Sequence, residues 1–402
     1  MEFERLITMK KIMLVFTIIC MCFSVNVYAE DETIIRVGLY YGSNAKDMVE
    51  INVDGQITTY NPSDIDGQVD IVPEEFVKVN GSQYRGAIRL VINSDNKINI
   101  INIVNIEDYL ASVISKEMSP YFEEEALKAQ AVASRTYALA HLNKHKNDGF
   151  DVCQYVHCQV YGGVSMENEK TTKAVNDTKG QTIKYDGELI SAVYSASSGG
   201  YTESAVNVWG SDIPYLQAVS DEHEEEDVFG HKWTYELTVS KATEIVESKG
   251  YEIGTVTDIV INETTENGVV TKMTVKGTKG EKVFKKESCR GVFPNHTISQ
   301  AFTVTPVGEN STVCTTDGIV EKSSMYILSS DGITQNTQDT LYLLDKNGVD
   351  SLPKTNYTKF VFEGRGYGHL VGMSQNGANG MAKQGYDYIE ILTHYYQGIE
   401  ID

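Results

Sequence analysis

The sequence predicts an α+β protein, a mixed helical and β-rich core with an additional β-rich insertion, and three observations lead there. Residues 34–104 run in short alternating apolar and polar stretches broken by Gly, Asn and Asp, the pattern of short strands and tight turns. At Ile106 the period changes, and Ile106, Tyr109, Leu110, Val113 and Ile114 recur at helical spacing. From Thr234 to Val361 strand-like, turn-rich segments resume. Blocks of helix and blocks of strand in one chain make an α+β core.

Runs such as Arg36-Val37-Gly38-Leu39-Tyr40 and Arg89-Leu90-Val91-Ile92 supply the first strands. The first helix is expected to end near Ser119-Pro120, since proline cannot continue it. A second helix is expected from Glu124 to Leu142, rich in alanine, which favours helix and close backbone approach. A helix through Thr171 to Thr178 follows, then strands at Thr182 to Tyr185 and Leu189 to Ser195. The acidic run Asp221 to Asp227 reads as a solvated loop, and the Gly-rich, helical stretch Gly364 to Ile401 as a return to the core. The expected organisation is a signal peptide or membrane anchor at 1–29, a core at 30–221, a β-rich insertion or second subdomain at 222–359, and the end of the core at 360–402.

The 402 residues are 41% hydrophobic and 22% charged, which suits a folded body. Lys10 and Lys11 precede the apolar run Ile12 to Phe23, and Ala29 offers a cleavage point before Glu30-Asp31-Glu32. That is the layout of an export signal. Any membrane contact is expected only through this segment, uncleaved. The net charge of −22 disfavours nucleic acid and anionic membrane surfaces as partners. Past residue 29 four cysteines remain, Cys153, Cys158, Cys289 and Cys314, too few for a disulfide scaffold. Cys289 and Cys314 stand as a candidate bridge.

Glu117 closes the series Ile106, Leu110, Val113, Glu117, spaced four, three and four, so its carboxylate lies on the face of the apolar stripe. A carboxylate there is either paired or raised in pKa, and a proton held near neutral pH suits a general acid. The alternative is that the helix frays and Glu117 turns to water, or that Lys128 or Arg135 neutralises it as a structural pair. Glu107, Asp108 and Glu123 to Glu125 lie off the stripe and read as solvated. Lys128 and Arg135 share a face of the second helix with Gln130 and Ser134 near it. That face either holds a sugar, neutralises a carboxylate or meets solvent.

Cys153, His157 and Cys158 fall within six residues, with His145 just upstream. Two Cys and two His form a closed tetrahedral zinc site, and a Cys153 to Cys158 disulfide is the alternative in an exported protein. Four protein donors leave no open position, so such zinc is structural. The turn Ser197-Ser198-Gly199-Gly200-Tyr201-Thr202 offers hydroxyls and close backbone approach, and Tyr194, Tyr201 and Trp209 offer rings, either to a sugar or to the core.

Several motifs, in order, carry a resemblance. They are Tyr109-Leu110-Ala-Ser-Val-Ile-Ser-Lys-Glu117-Met118, Glu125-Ala-Leu-Lys-Ala-Gln-Ala-Val-Ala-Ser-Arg135-Thr-Tyr-Ala138, Gln159-Val-Tyr-Gly162, Tyr194-Ser-Ala-Ser-Ser-Gly-Gly-Tyr-Thr202, Val208-Trp209-Gly210 and Pro214-Tyr-Leu216. The closing stretch is Gly366-Tyr-Gly-His369-Leu-Val-Gly-Met-Ser-Gln375-Asn-Gly-Ala378, with His394-Tyr-Tyr396. Together they resemble the SpoIID/LytB domain from about Ile34 to Ile401, interrupted mainly between Glu222 and Lys359. Leu370 departs from the glycine common at that place in the closing motif.

The resemblance implies action on peptidoglycan glycan strands, with stage II sporulation protein D members acting as lytic transglycosylases. It carries the acid role onto Glu117, makes Lys128 and Arg135 the basic residues near it, and adds to the case for zinc at His145, Cys153, His157 and Cys158. Such an enzyme needs one carboxylate, because the substrate's own C6 hydroxyl closes a 1,6-anhydro ring, whereas a glycoside hydrolase normally needs two. The substrate-facing set is expected to be Lys128, Gln130, Arg135, Tyr194, Ser197, Ser198, Gly199, Gly200 and Thr202. LytB-type relatives imply a second possibility, a wall-binding enhancer that works with a cell-wall amidase.

Overall fold

The computed structural model describes residues 33–308 and 357–402 in full, and between them the backbone of six short strands. The export-signal segment at 1–29 lies outside the described residues. Among those described, no helix is long and apolar enough to cross a membrane.

A five-stranded sheet forms the base of the core. Its order is Gln68–Ile71, Ala87–Ile92, Ile98–Asn105, Ile34–Tyr40, Val152–Cys153, antiparallel except for the last pair. Ile35, Val37 and Leu39 alternate inward from the strand next to the edge, as period-two patterning requires. The parallel edge pair sets Gly38 opposite Cys153. Gly38 cannot carry a side chain, because a Cβ there would lie 2.5 Å from the Phe150 ring.

Helix α1 (Ile106–Glu117) leaves the strand Ile98–Asn105 directly, with the Asn105 side chain accepting from Glu107 N at 2.8 Å as its N-cap. It ends at Glu117, and Met118 turns extended before Ser119-Pro120. Helix α2 (Glu124–Ala140) is buried along most of its length, its alanines allowing close packing. Helix α3 (Glu169–Asp177) and the four-residue helix α4 (Ala205–Val208) complete this part of the core.

A second apolar cluster lies apart. The strands Lys232–Thr238, Tyr357–Arg365 and Ala301–Gly308 form one three-stranded sheet, and Val256–Thr264, Val270–Gly277 and Gly280–Lys285 another. Between them Trp233, Leu237, Phe293, Phe302, Phe360 and Phe362 are buried, covered by helix α5 (Val239–Ser248). The short helix α6 (Ser288–Gly291) follows the second sheet. Cys289 on α6 is a buried free thiol, and the Cys314 side chain lies outside the described residues. After this subdomain the chain returns to the core through α7 (Gln375–Lys383) and α8 (Tyr388–Tyr395). The strand Met373–Ser374 pairs in parallel with Tyr194–Ser195 and joins the chain's end to its middle.

Two expectations of solvated acids are corrected. The run Asp221 to Asp227 is not uniformly solvated, since Asp221 and Glu224 are buried. Glu107 is likewise not free in water. Its carboxylate holds Arg135 at 2.6 Å and the Gly180 N–H at 3.2 Å.

Candidate functional site

Glu117 ends α1 at the wall of a cleft of about 510 Å3, whose lining also includes Tyr137, Lys144, Val160, Tyr194, Trp209 and His369. The Val160 N–H donates to Glu117 Oε1 at 3.0 Å, and Gln375 adds a side-chain hydrogen bond. Burial nonetheless raises the Glu117 pKa above its ordinary value, outweighing those hydrogen bonds and the Lys116 charge. Neither Lys128 nor Arg135 neutralises it.

Lys128 instead pairs with Glu124 and Glu125 in the first turn of its own helix, at 3.1 and 2.8 Å. Arg135 is 1% exposed and forks onto Glu107, with further bonds to the carbonyls of Gln181 and Val175. These two bases therefore stand away from the cleft in structural pairs. Gln130, fully buried, reaches Glu117 indirectly: it donates to Ser134 Oγ and accepts from Gln375 Nε2.

Tyr194 lines the cleft, its hydroxyl accepting from Gln159 Nε2 at 3.1 Å. Trp209 tilts against His369, ring centroids 5.2 Å apart. Desolvation, aided by the nearby Arg290 charge, pushes His369 down to about 4, so the ring is neutral at neutral pH. Leu370 beside it adopts φ +67°, the left-handed region that glycine enters freely, with its side chain fully buried. The backbone shape that a glycine would adopt is thus kept, and His369 still faces the cleft.

The Ser-Ser-Gly-Gly turn does not face the cleft. Ser197 and Ser198 are fully buried and bind Glu224, which accepts from both hydroxyls, from the N–H groups of Ser198 and Gly199, from Ser374 Oγ and from His231 Nδ1. Asp221 accepts from Ser198 Oγ and Tyr395 OH. Against the cost of burial, these donors hold Glu224 below its ordinary pKa, while burial and the Glu224 charge push Asp221 up. Gly199 has φ +67°, and a Cβ there would lie 2.6 Å from Gly366 N, so the close approach it permits is to the closing motif. Gly200 adopts φ +105° in the same turn. Thr202 is buried and exchanges bonds with Val219. The turn fastens the core to its C-terminal return.

His145, Cys153, His157 and Cys158 do converge, all ligand atoms lying within 4.8 Å of one another. His145 Nε2 is 3.3 Å from His157 Nδ1, Cys158 Sγ is 3.5 Å from each, and Cys153 Sγ is 3.8 Å from His157 Nδ1. Tetrahedral zinc with its usual bond lengths spaces nitrogen pairs by about 3.3 Å and sulfur–nitrogen pairs by about 3.6 Å. The donor set fits a metal of that kind, and both cysteines are free thiols, not a bridge. A hydrogen bond from Cys158 pushes the Cys153 thiol down to about 4, against burial and with help from Tyr41 and His157, while Cys158 moves up. Asp148 lies 3.3 Å from His145 Nδ1, the position of a carboxylate that orients a metal-binding imidazole.

His157 and Cys158 also line the cleft. Lys144 Nζ joins them, donating to Tyr137 OH and to the His157 carbonyl, each at 3.1 Å. Sequence reasoning missed Lys144, Val160, Gln375 and Glu287 here. Gln375 opens α7 after the capping Ser374, and its place in the closing motif was its only signal. Glu287 comes from the second subdomain, ion-paired with Arg290 at 3.2 Å, and lines the same cleft.

The family model for the stage II sporulation protein SpoIID matches residues 94–185, from before α1 to past α3. A protein of Brachyspira hyodysenteriae is 31% identical over 330 residues, covering 80% of this chain and 73% of that protein. The chain belongs to the SpoIID/LytB family. Other members include the amidase enhancer of Bacillus subtilis, 31% identical over 396 residues, and the stage II sporulation protein D of the same organism, 29% identical over 315 residues. The alignment covers 93% of this chain and 52% of the amidase enhancer, and 74% of both partners for the sporulation protein. This SpoIID/LytB chain thus spans about half the length of that enhancer. Residues 216–332 match a separate domain of unknown function, DUF8618.

Proposed function

We propose that this SpoIID/LytB protein is a peptidoglycan lytic transglycosylase that cleaves the bond from N-acetylmuramic acid to N-acetylglucosamine in peptide-stripped glycan strands. The observation that carries the reading is the Glu117 carboxylate, set at the cleft by α1, held by the Val160 N–H and raised in pKa by burial. Glu117 gives its proton to the glycosidic oxygen as the bond from muramyl C1 breaks. The muramyl C6 hydroxyl then bonds to C1 and returns its proton to the Glu117 carboxylate, closing the 1,6-anhydro ring. Tyr194 and Trp209 line the cleft as platforms for sugar rings. Zinc held by His145, Cys153, His157 and Cys158 would leave no open position and serve to fix the loop that ends at Val160. The site of action proposed is outside the cytoplasm, at the wall during sporulation or wall remodelling, with an amidase removing stem peptides first.

The test is digestion of purified, peptide-free glycan strands with mass spectrometry of the ends. The wild-type chain should give 1,6-anhydro-muramyl ends and folded Glu117→Gln should give none. Ordinary reducing muramyl ends would instead point to hydrolysis, with Glu287 as the second carboxylate. A second reading, a non-catalytic wall-binding enhancer of an amidase, is favoured by the likeness to the amidase enhancer. It predicts no new ends from either chain and faster amidase turnover in the presence of both.

A further inference from the structure

The second subdomain meets the core along a seam, which carries the cleft and, among the described residues, a further depression. That depression is a groove of about 570 Å3, where the turn carrying Thr264 and Thr271 faces Asn207 and Gln217 of the core. Glu203 and Glu266 also line it, and among its described lining residues there is neither an aromatic ring nor a cation.

The groove is pre-organised from both sides. Glu203, 1% exposed, accepts from Ser204 N and Asn207 Nδ2 through one oxygen, each at 2.9 Å, and from Thr265 Oγ1 at 2.7 Å through the other. One buried carboxylate thereby orients an amide of the core and a hydroxyl of the subdomain. Arg365 fixes the two halves together, donating to the carbonyls of Ser198 and Tyr201 on one side and Asn267 on the other. Fixed amides and hydroxyls, which both donate and accept, match a ligand dense in hydroxyl and acetamido groups. Two carboxylates and no cation in the lining work against an anionic ligand, and the absence of an apolar pocket works against peptide side chains.

Position adds the rest. Asn207 lines the groove and Trp209, two residues on, lines the cleft, so the two depressions lie on either side of α4, about 6 Å of helix. The subdomain grips that divide, with Glu287 N donating to the Val208 carbonyl and Lys286 Nζ to the Val206 carbonyl. We propose that the groove is a second subsite for one uncharged N-acetylglucosamine-type unit of a glycan polymer, built by the subdomain beside the cleft. This rests on the glycan-directed reading only in that one polymer would occupy both depressions.

The test is calorimetric binding of the N-acetylglucosamine dimer and hexamer to the full chain carrying Glu117→Gln. Adding Thr271→Trp, which fills the groove, should weaken hexamer binding about tenfold and leave dimer binding unchanged. The milder Gln217→Ala should weaken it about threefold. Unchanged hexamer affinity in folded Gln217→Ala and Thr271→Trp chains would overturn the proposal. Should Thr271→Trp fail to fold, amide NMR decides: hexamer-induced shifts at the Asn207 and Asn267 side chains are required, and shifts there from a free stem peptide alone would overturn it. A wild-type chain that makes no anhydro ends but loses hexamer affinity on these substitutions would sink the transglycosylase reading and leave the groove standing.

Discussion

Val160 donates its backbone N–H to Glu117 at 3.0 Å and stands two residues after Cys158, a member of the Cys2His2 cluster. Gln159 between them is tied down at both ends of its amide, donating to Ser134 O and Tyr194 OH and accepting from Tyr109 OH. The proposed metal site and the proposed acid are thus joined by a short, hydrogen-bonded segment. Removing the metal with a chelator, or Cys158→Ser, should loosen that segment and let Val160 drift from Glu117. A displacement of about 1 Å at a reacting group costs on the order of 100-fold in rate. Strand cleavage should fall by about that factor, with a lower melting temperature. Elemental analysis should return one zinc per chain before chelation and none after. Full activity in a zinc-free chain would end the link.

The buried Glu117 carboxyl makes a pH prediction with a definite sign. Its folded-state pKa lies above its ordinary value of 4.5. Its contribution to stability is therefore fully present below 4.5 and is lost as pH rises through the folded value. Glu117→Gln keeps the shape and removes the charge, so the variant should melt higher than wild type near pH 7.5, the gap closing as pH falls to 4. Thermal melts at both values decide it. A gap of the same size at both would show that desolvation of Glu117 is not its cause.

Arg135 should matter to folding, not to chemistry. With Arg135 at 1% and Glu107 at 15% side-chain exposure, deleting the guanidinium takes the charged partner from the Glu107 carboxylate, leaving it only the Gly180 N–H, and removes a donor from two carbonyls. Breaking a buried pair from one side costs about 3–5 kcal/mol. Arg135→Ala should show that loss in urea unfolding, while the rate per folded molecule stays near wild type. A low rate from a fully stable Arg135→Ala chain would return Arg135 to the substrate.

These cases show what periodicity can and cannot tell. The spacing of Ile106, Leu110, Val113 and Glu117 put an acid on an apolar stripe, and α1 places it there, because a local repeat decides which way a helical side chain points. The Cys153 to Cys158 segment with His145 was legible for the same reason: ligand residues close in sequence have little choice but to meet. Lys128 and Arg135 share a face too, yet periodicity says nothing of which neighbour covers that face, and the neighbours are Glu107, Glu124 and Glu125. Glu287 lines the cleft from a separate subdomain, which no local pattern announces. Asp221 and Glu224 were hidden by their company, since a run of acids looks solvated unless donors elsewhere in the chain are known.

Those donors give the last prediction. Glu224 accepts from Ser197, Ser198, Gly199, Ser374 and His231, which come from three separate stretches of the chain. Glu224→Gln is nearly the same size, but its amide nitrogen would face groups that donate, and each orphaned buried donor costs about 1–3 kcal/mol. The variant should lose about 3 kcal/mol or more at pH 7 by urea unfolding. The sign with pH is opposite to that of Glu117. Glu224's folded pKa is depressed, so its stabilisation is present above the ordinary 4.5 and is lost as pH falls through the folded value. Wild type therefore gives up its advantage in acid, and the deficit of Glu224→Gln should shrink between pH 7 and pH 3. A deficit that stays constant over that range would mean that shape at this junction, not the carboxylate charge, holds the C-terminal return to the core.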